Sequence, residues 1–343
     1  MTTACGLDCN LCPAAARCGK TCNFCVVARH GPVAGCAGCG YCAGSPLLRM
    51  DVRRAVIQHL GGLDFAWPRP VVHHDPGGLP AHIPVLVQAY ADHVDVPWVA
   101  LHGARLFGVA GKALTAKHRS PLRTTYRLGT GTRIAVEFYI EDRALEGIWS
   151  NRRQVIGELR RLELDLVITP DFSVWEDHPR FEQLVQQRRA FSFYHELREA
   201  GLPAIPDIGF SLFEPDGRLW AEWVNSQAGL RAVSLFCGGR KVHADRRAHL
   251  ETVEDIALFH HAVAPDITFV IGGVHAPERI SDYRQAAPGR RLCFLNGMAY
   301  SLAQRRRLLD ATLPSVARSA RECFLLNCAH NDLVYERLLL ESA

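Results

Sequence analysis

Nine cysteines near the amino terminus have the spacing that most directly indicates chemistry in this sequence. They form three groups within the first 42 residues; the first two have the spacing C-x₃-C-x₂-C and the third has C-x₂-C-x₂-C. This Cys/Gly-rich segment is too small for an apolar core of its own, so we expect bound metal to fold it. The predicted metal ligands are Cys5, Cys9, Cys12, Cys18, Cys22, Cys25, Cys36, Cys39 and Cys42.

The spacing of these cysteines leaves the metal open between zinc and an iron–sulfur cluster. The "CAGCGY" segment at 36–41 is typical of a zinc knuckle. In contrast, Cys12-Pro13 together with the C-x₂-C-x₂-C group is typical of ferredoxin clusters. Two sites of four ligands each would use eight of the nine cysteines, so we expect two metal sites within residues 5–42.

A second set of candidate residues follows short apolar runs farther along the chain. Asp171 and Asp207 could perform acid–base or nucleophilic chemistry on one substrate, although Asp171 could instead cap a short turn. Paired glycines at two successive strand ends permit close approach of a ligand or a sharp turn. The predicted substrate-binding set here is Gly238, Gly239, Gly272, Gly273 and His275, and Asn296 joins the two aspartates as a catalytic candidate. Other polar residues at predicted strand ends are His102, Glu137, Glu141 and His330.

The elements that position these residues are apolar, β-branched runs that alternate with segments of helical period. Near-continuous apolar strands between helices are typical of a parallel sheet, most simply a (β/α)₈ TIM-like barrel. An open doubly wound sheet is the alternative. In a barrel, function is expected where strands end and βα loops begin. The eight predicted strands are 97–103, 133–140, 164–170, 202–210, 230–239, 267–274, 291–297 and 322–328.

Three segments follow from this pattern. Residues 1–44 form the Cys-rich metal-binding module, and residues 96–343 form the predicted barrel. Residues 45–95 contain one helix, which begins with Ser45 as its N-cap and ends at Gly61-Gly62, and then a Pro/Gly-rich connector.

Charge is distributed unevenly along the chain. Residues 1–133 carry fourteen Lys or Arg against six Asp or Glu, whereas residues 134–343 carry twenty-five against twenty-nine. No acidic residue lies between Gly103 and Val136. Such a basic run is typical either of a surface that binds phosphates or of a solvated loop; seven cations without an intervening acid favour the former, so we expect a nucleic-acid partner. The predicted phosphate-binding residues are Arg105, Lys112, Lys117, Arg119, Arg123 and Arg127, and Arg133 belongs to the same run.

Composition excludes several classes of protein. The 343 residues are 48% hydrophobic and 22% charged, which is ordinary for a globular chain and argues against wholesale disorder. The chain has no apolar run near the length of a membrane span, and its start lacks the features of a secretion signal. We therefore expect a cytoplasmic protein with no membrane partner.

The segment from about 160 to 300 resembles a domain family of unknown function found in phages, mobile elements and bacteria. The resemblance rests on Thr169-Pro170-Asp171-Phe172-Ser173, then Asp177 and Pro179, an arginine-bearing helix, and Gly201 to Pro206. The opening "CGLDCNLCP" is similar to the start of small cysteine-rich domains thought to bind metal. Neither resemblance implies an assigned activity.

A more distant resemblance is to tRNA-guanine transglycosylase barrels and related enzymes that insert deazaguanines into DNA. It rests on the order of a strand ending in Asp171, an arginine-bearing helix, and strands ending in Gly238-Gly239 and Gly272-Gly273. The resemblance implies an acid–base or recognition role for Asp171. Where that family has a nucleophilic aspartate, this chain has Asn296, which disfavours base exchange through a covalent intermediate.

These observations predict an enzyme that excises or modifies a nucleobase, in DNA rather than RNA. Two other functions remain open. The C-x₃-C-x₂-C spacing is also that of radical S-adenosylmethionine enzymes, but here it is doubled and precedes every predicted strand. Alternatively, the chain is a non-enzymatic, zinc-stapled DNA-binding accessory protein of a mobile element.

Overall fold

A computed structural model of the chain describes residues 50–108, 110–174, 180–209, 214–238, 246–310, 312–313 and 318–340. Eight parallel strands form one sheet in the order β5-β4-β3-β2-β1-β8-β7-β6. The strands are β1 His82–Leu86, β2 Trp98–His102, β3 Arg133–Glu137, β4 Leu166–Ile168, β5 Ala204–Ile205, β6 Ala232–Phe236, β7 Thr268–Gly272 and β8 Leu292–Asn296.

The two edge strands of this sheet meet and close it into a barrel. Just after β5, Asp207 forms a parallel bridge to Ser234 of β6. The Ile208 amide donates to the Ser234 carbonyl at 2.8 Å, and the Ser234 amide donates to the Pro206 carbonyl at 2.8 Å. The predicted (β/α)₈ TIM-like barrel is therefore confirmed, and the open-sheet alternative is wrong.

Helices surround the barrel. They are α1 Met50–Leu60, α2 Gly103–Phe107, α3 Leu122–Tyr126, α4 Asp142–Ser150, α5 Arg152–Leu159, α6 Arg180–Glu199, α7 Glu214–Ser226, α8 Arg246–Ala262, α9 Pro277–Ala286, α10 Met298–Gln304 and α11 Ala320–Leu340. Within the described residues, no helix combines the length and apolarity that a membrane crossing would require.

Side chains alternate between the inside of the barrel and the helical layer because successive strand residues point to opposite faces. The inner cluster contains Ile83, Val85, Trp98, Ala100, Ala135, Leu166, Ile168, Ile205, Ala232, Val270, Cys293 and Leu295. A larger cluster on the outer face packs the strands against the helices. Two-residue periodicity then directs the inner-face residues at the carboxyl ends, among them His102, Glu137 and Ser234, into the mouth of the barrel.

One predicted strand is wrong. Residues 322–328 lie within α11, whose buried residues include Phe324, Asn327, Asn331 and Tyr335 at helical spacing. A short apolar run has the same appearance in a buried strand and in a buried helix, so only the longer period distinguishes them. The eighth strand is instead β1, which lies in the segment predicted as a connector and contains Pro84. Proline has no amide hydrogen to donate to a neighbouring strand, so the sequence around Pro84 did not indicate a strand.

A buried arginine attaches the segment after α1 to α6. Arg188 donates through Nε to the Leu60 carbonyl at 3.1 Å and through Nη1 to the Asp64 and Ala66 carbonyls at 2.7 and 2.8 Å. Its guanidinium also lies 5.0 Å from the centre of the Phe191 ring. A planar group with five donors can bond several carbonyls at once, so Arg188 fixes the segment that follows α1 against α6.

Candidate active site

The carboxyl ends of β2 and β3 bring a histidine and a glutamate together. His102 and Glu137 are paired in the register of these strands, and Nδ1 of His102 is hydrogen-bonded to Oε1 of Glu137. The second carboxylate oxygen, Oε2, accepts the Tyr139 amide at 2.7 Å. Burial lowers the pKa of His102, but the hydrogen bond and charge of Glu137 outweigh it, so the pKa lies above its ordinary 6.5.

Tyr139 is at the centre of the mouth. Its hydroxyl is hydrogen-bonded to the Ser234 hydroxyl and donates to Oδ1 of Asp207 at 3.4 Å. Its ring stacks on Phe236 with 4.3 Å between centres. Burial and the charges of Asp207, Asp171 and Glu137 raise the pKa of the Tyr139 hydroxyl well above 10. Three carboxyl groups therefore lie close enough to act on one phenol, which remains protonated.

Asp171 and Asp207 are held in an environment that opposes ionisation. Burial, and then the charge of Asp142, raises the pKa of Asp171 to about 7. Burial and the charge of Asp171 raise the pKa of Asp207 well above its ordinary value, although bonds from Ser234 and Tyr139 oppose this. The Asp207 amide donates to Thr169 Oγ1 at 2.7 Å, which fixes its position. A proton is therefore available on this pair near neutral pH.

Asp171 differs from Asp207 in its contacts. Asp207 is 2% exposed, whereas Asp171 is partly exposed at the mouth. In the described part of the chain, the Asp171 carboxyl accepts no hydrogen bond, so nothing there supports a turn-capping role. Asp171 is thus the member of the pair that can reach a substrate.

The predicted ligand-binding glycines have a packing role in the structure. A Cβ on Gly272 would lie 2.3 Å from Cε2 of Tyr139, so the missing side chain admits the tyrosine ring. A Cβ on Gly273, whose φ is +82°, would lie 2.6 Å from Cα of Gly238. These glycines shape the mouth by letting β6, β7 and Tyr139 approach one another. His275 follows β7 and is partly exposed, and Gly239 lies outside the described residues.

Asn296 is not brought to this site. Its side-chain amide donates to the Val274 carbonyl at 3.0 Å and to the Tyr335 hydroxyl of α11 at 2.9 Å. Its neighbours Cys293 and Leu295 belong to the inner cluster, so alternation places Asn296 on the outer face with Phe294. The structure therefore separates Asn296 from Asp171 and Asp207.

The predicted phosphate-binding residues are distributed along the height of the barrel. Arg105 lies in α2, directly after β2, and its charge acts on His102 at the mouth. Lys112, Lys117 and Arg119 are exposed between α2 and α3. Arg123 donates to the Gly129 and Thr132 carbonyls just before β3, and Arg127 donates to the Ala91 carbonyl. Of this set, Arg105 is the residue whose charge acts on a group of the mouth, His102.

The nine predicted metal ligands, Cys5 to Cys42, lie outside the described residues. Within the described residues, no three His, Cys, Asp or Glu side chains are grouped as a metal site would require. The four cysteines there, Cys237, Cys293, Cys323 and Cys328, are all buried.

Tyr139 and Ser234 are site residues that strand-end analysis missed. Ser234 lies within β6, two residues before its end, and Tyr139 lies two residues after β3. Both share a face with residues of the mouth, so a two-residue repeat extended past the strand end was the available signal. The pairing of His102 with Glu137 required the strand register, which the sequence does not show.

A family described as a domain of unknown function (DUF4417) matches residues 115–272. The matched part runs from before β3 to the end of β7 and includes Glu137, Tyr139, Asp171, Asp207 and Ser234. This agrees with the uncharacterised domain family expected from the sequence. No curated protein matches the chain.

Proposed function

We propose that this chain is an enzyme that cleaves the N-glycosidic bond of a nucleobase in nucleic acid, DNA rather than RNA. The observation that supports this most is the pair Asp171 and Asp207, whose pKa values are both raised, at the mouth of a (β/α)₈ barrel. Catalytic groups of such barrels lie at this end. A carboxylic acid that keeps its proton near pH 7 can protonate a departing base.

Each group around the mouth has a role in this chemistry. Asp171, the partly exposed carboxyl, donates its proton to the nitrogen of the leaving base. Asp207 and the hydroxyl of Tyr139 lie near it, because its charge acts on both, and they keep its surroundings poor in water. The stacked rings of Tyr139 and Phe236 offer a face for a base turned out of its strand. Arg105, whose charge acts on His102, could hold a backbone phosphate beside the mouth.

The resemblance to transglycosylase barrels supports nucleobase chemistry, and the position of Asn296 favours hydrolysis over exchange. Exchange in that family needs a nucleophilic aspartate, whereas this chain has an amide that bonds Tyr335 on the outer face. Attack by water on the sugar carbon needs no covalent enzyme intermediate. The products are then a free base and an abasic site.

The test is a panel of single- and double-stranded DNA and RNA oligonucleotides, each carrying one unmodified or modified base, followed by alkaline cleavage at abasic sites. We expect the wild-type chain to release a base from at least one DNA member. Asp171→Asn should lower that rate by about 100-fold to 10,000-fold, the usual effect of losing a general acid. Asp92→Asn, in the exposed loop between β1 and β2, is the matched control and should not change it. No base release from any member, or full activity in Asp171→Asn, would refute the proposal.

We propose further that the nine amino-terminal cysteines bind two metal centres, either zinc or iron–sulfur. Nine clustered cysteines in a sequence segment too short to supply a core of its own support this, because metal binding would then supply the folding free energy. Elemental analysis and a visible spectrum of the chain purified without oxygen test it. Cys9→Ser and Cys39→Ser should each lower the metal content, whereas Cys293→Ser, a buried barrel residue, should not. A metal-free wild-type chain would contradict this assignment.

A further inference from the structure

Glu137 is buried and both of its carboxylate oxygens are hydrogen-bonded, so it is not placed to contact a substrate. Oε1 is bonded to Nδ1 of His102 and Oε2 to the Tyr139 amide, and the side chain is only 3% exposed. A buried carboxylate with both oxygens occupied can act only through the groups it binds. Glu137 therefore acts on the imidazole of His102.

The side chain of His102, unlike that of Glu137, is accessible to solvent. Its side chain is 27% exposed, and Nδ1 is committed to Glu137. In the described part of the chain, Nε2 has no hydrogen-bond partner, so it is the ring nitrogen that remains able to bind a water or a substrate. A carboxylate bonded to Nδ1–H fixes the tautomer in which Nε2 is a base and stabilises the imidazolium that forms when Nε2 takes a proton.

The proposed general acid, Asp171, lies at the same end of the barrel as His102. Tyr139 connects the two halves, because its amide binds Glu137 and its hydroxyl binds Ser234 and Asp207. Asp171 and Glu137 both act electrostatically on that hydroxyl. The histidine pair and the aspartate pair therefore lie near each other at the carboxyl ends of neighbouring strands, as hydrolysis by two separate proton-transfer groups requires.

We propose that His102 is the general base that activates the hydrolytic water, with Glu137 as its positioning residue. This inference rests on the proposed function and assigns its second proton transfer. The water oxygen bonds to the sugar carbon while its proton passes to Nε2 of His102. The bond from that carbon to the base nitrogen breaks, and its electron pair stays on the base, which takes the proton of Asp171. The imidazolium and the aspartate then exchange protons with solvent, which restores the site.

The charged groups that face His102 set the pH at which it can work. Glu137 raises its pKa, and Arg105 on α2 lowers it. His102 must be neutral and Asp171, with a pKa of about 7, must be protonated. Activity should therefore pass through a maximum, with the deprotonation of His102 setting the acidic limb and the deprotonation of Asp171, near pH 7, setting the alkaline limb.

The experiment measures kcat and KM against pH for the oligonucleotide that the wild type cleaves. His102→Gln should lower kcat by about 100-fold to 10,000-fold with little change in KM, and its residual activity should fall steadily as the pH rises through 7. His93→Gln, which replaces an exposed histidine in the β1–β2 loop, is the matched control. Glu137→Gln keeps the size of the side chain and should move the acidic limb to lower pH.

A second readout does not require turnover. In ¹⁵N spectra of the full chain, His102 should carry its neutral-state proton on Nδ1, and its pKa should fall in Glu137→Gln. If His102→Gln keeps the wild-type kcat while Asp171→Asn loses it, the inference is wrong and the proposed function stands. Residual activity of His102→Gln that rises with pH would also overturn it, because Asp171 would then be the base. If no oligonucleotide is cleaved, both fail.

Discussion

Replacing Asp171 with asparagine is expected to stabilise the folded chain at pH 8, although it should abolish function. The pKa of this carboxyl rises from 3.8 to about 7 on folding, because burial and the charge of Asp142 oppose its ionisation. Between about pH 4 and about pH 7 the folded chain binds a proton that the unfolded chain has released. The free energy of unfolding therefore falls as the pH rises through this window. Above the window, the folded chain carries the full free-energy cost of the ionised Asp171.

The size of the effect follows from the shift. At about 1.4 kcal/mol per pKa unit, the rise corresponds to about 4 kcal/mol at pH 8. Because Asp171 is partly exposed, solvent screens part of this cost, so we expect a gain of roughly 1 to 4 kcal/mol in the variant. The gain should shrink as the pH falls through this window, because below it the aspartate becomes protonated in both states.

Guanidinium unfolding followed by tryptophan fluorescence at pH 5 and pH 8 measures this difference for the wild type and Asp171→Asn. Asp92→Asn, an exposed substitution, should change the free energy of unfolding by less than about 0.5 kcal/mol at either pH. A variant that is equally or less stable than the wild type at pH 8 would refute the reasoning. Asp171 would then be a structural residue with an ordinary pKa.

Two further substitutions test how the site and its support are packed. Gly272→Ala places a Cβ 2.3 Å from the Tyr139 ring, so it should lower the free energy of unfolding by about 1 to 3 kcal/mol and also reduce base release. Gly157→Ala, which has open space around it in α5, should raise the free energy of unfolding by about 0.5 to 1 kcal/mol. Equal effects of the two substitutions in denaturant titrations would contradict this. Arg188→Ala leaves three backbone carbonyls without their donor and should lower the free energy of unfolding by about 3 kcal/mol. Arg188→Lys should not restore that stability, because an ammonium cannot reproduce the planar arrangement of guanidinium donors. Full stability of either variant would show that Arg188 does not hold the segment after α1.

The sequence predicted the barrel because alternating strand and helix patterns repeat along most of the chain. It also located Asp171 and Asp207, because aspartates that directly follow apolar runs are visible without a structure. The prediction failed at one strand. Residues 322–328 were predicted as a strand because they are apolar, but they belong to α11, whereas β1 was not predicted because it contains Pro84.

Inner and outer faces could not be distinguished from polarity. Both faces of a strand in a parallel barrel are buried, so apolar residues run without a break, and nothing in "RLCFLNG" shows that Asn296 points outward. The pairing of His102 with Glu137 depends on register between strands that lie about thirty residues apart. Such long-range geometry appears only in the structure.

The most direct test of the central claim is chromatographic measurement of free nucleobase after DNA is incubated at pH 7 with the wild-type chain or with Asp171→Asn. We expect the wild type to release free base in equal amount to the abasic sites that appear in the DNA. The variant should bind the same DNA and release almost none. DNA bound without base release by the wild type, or equal release by both proteins, would contradict it.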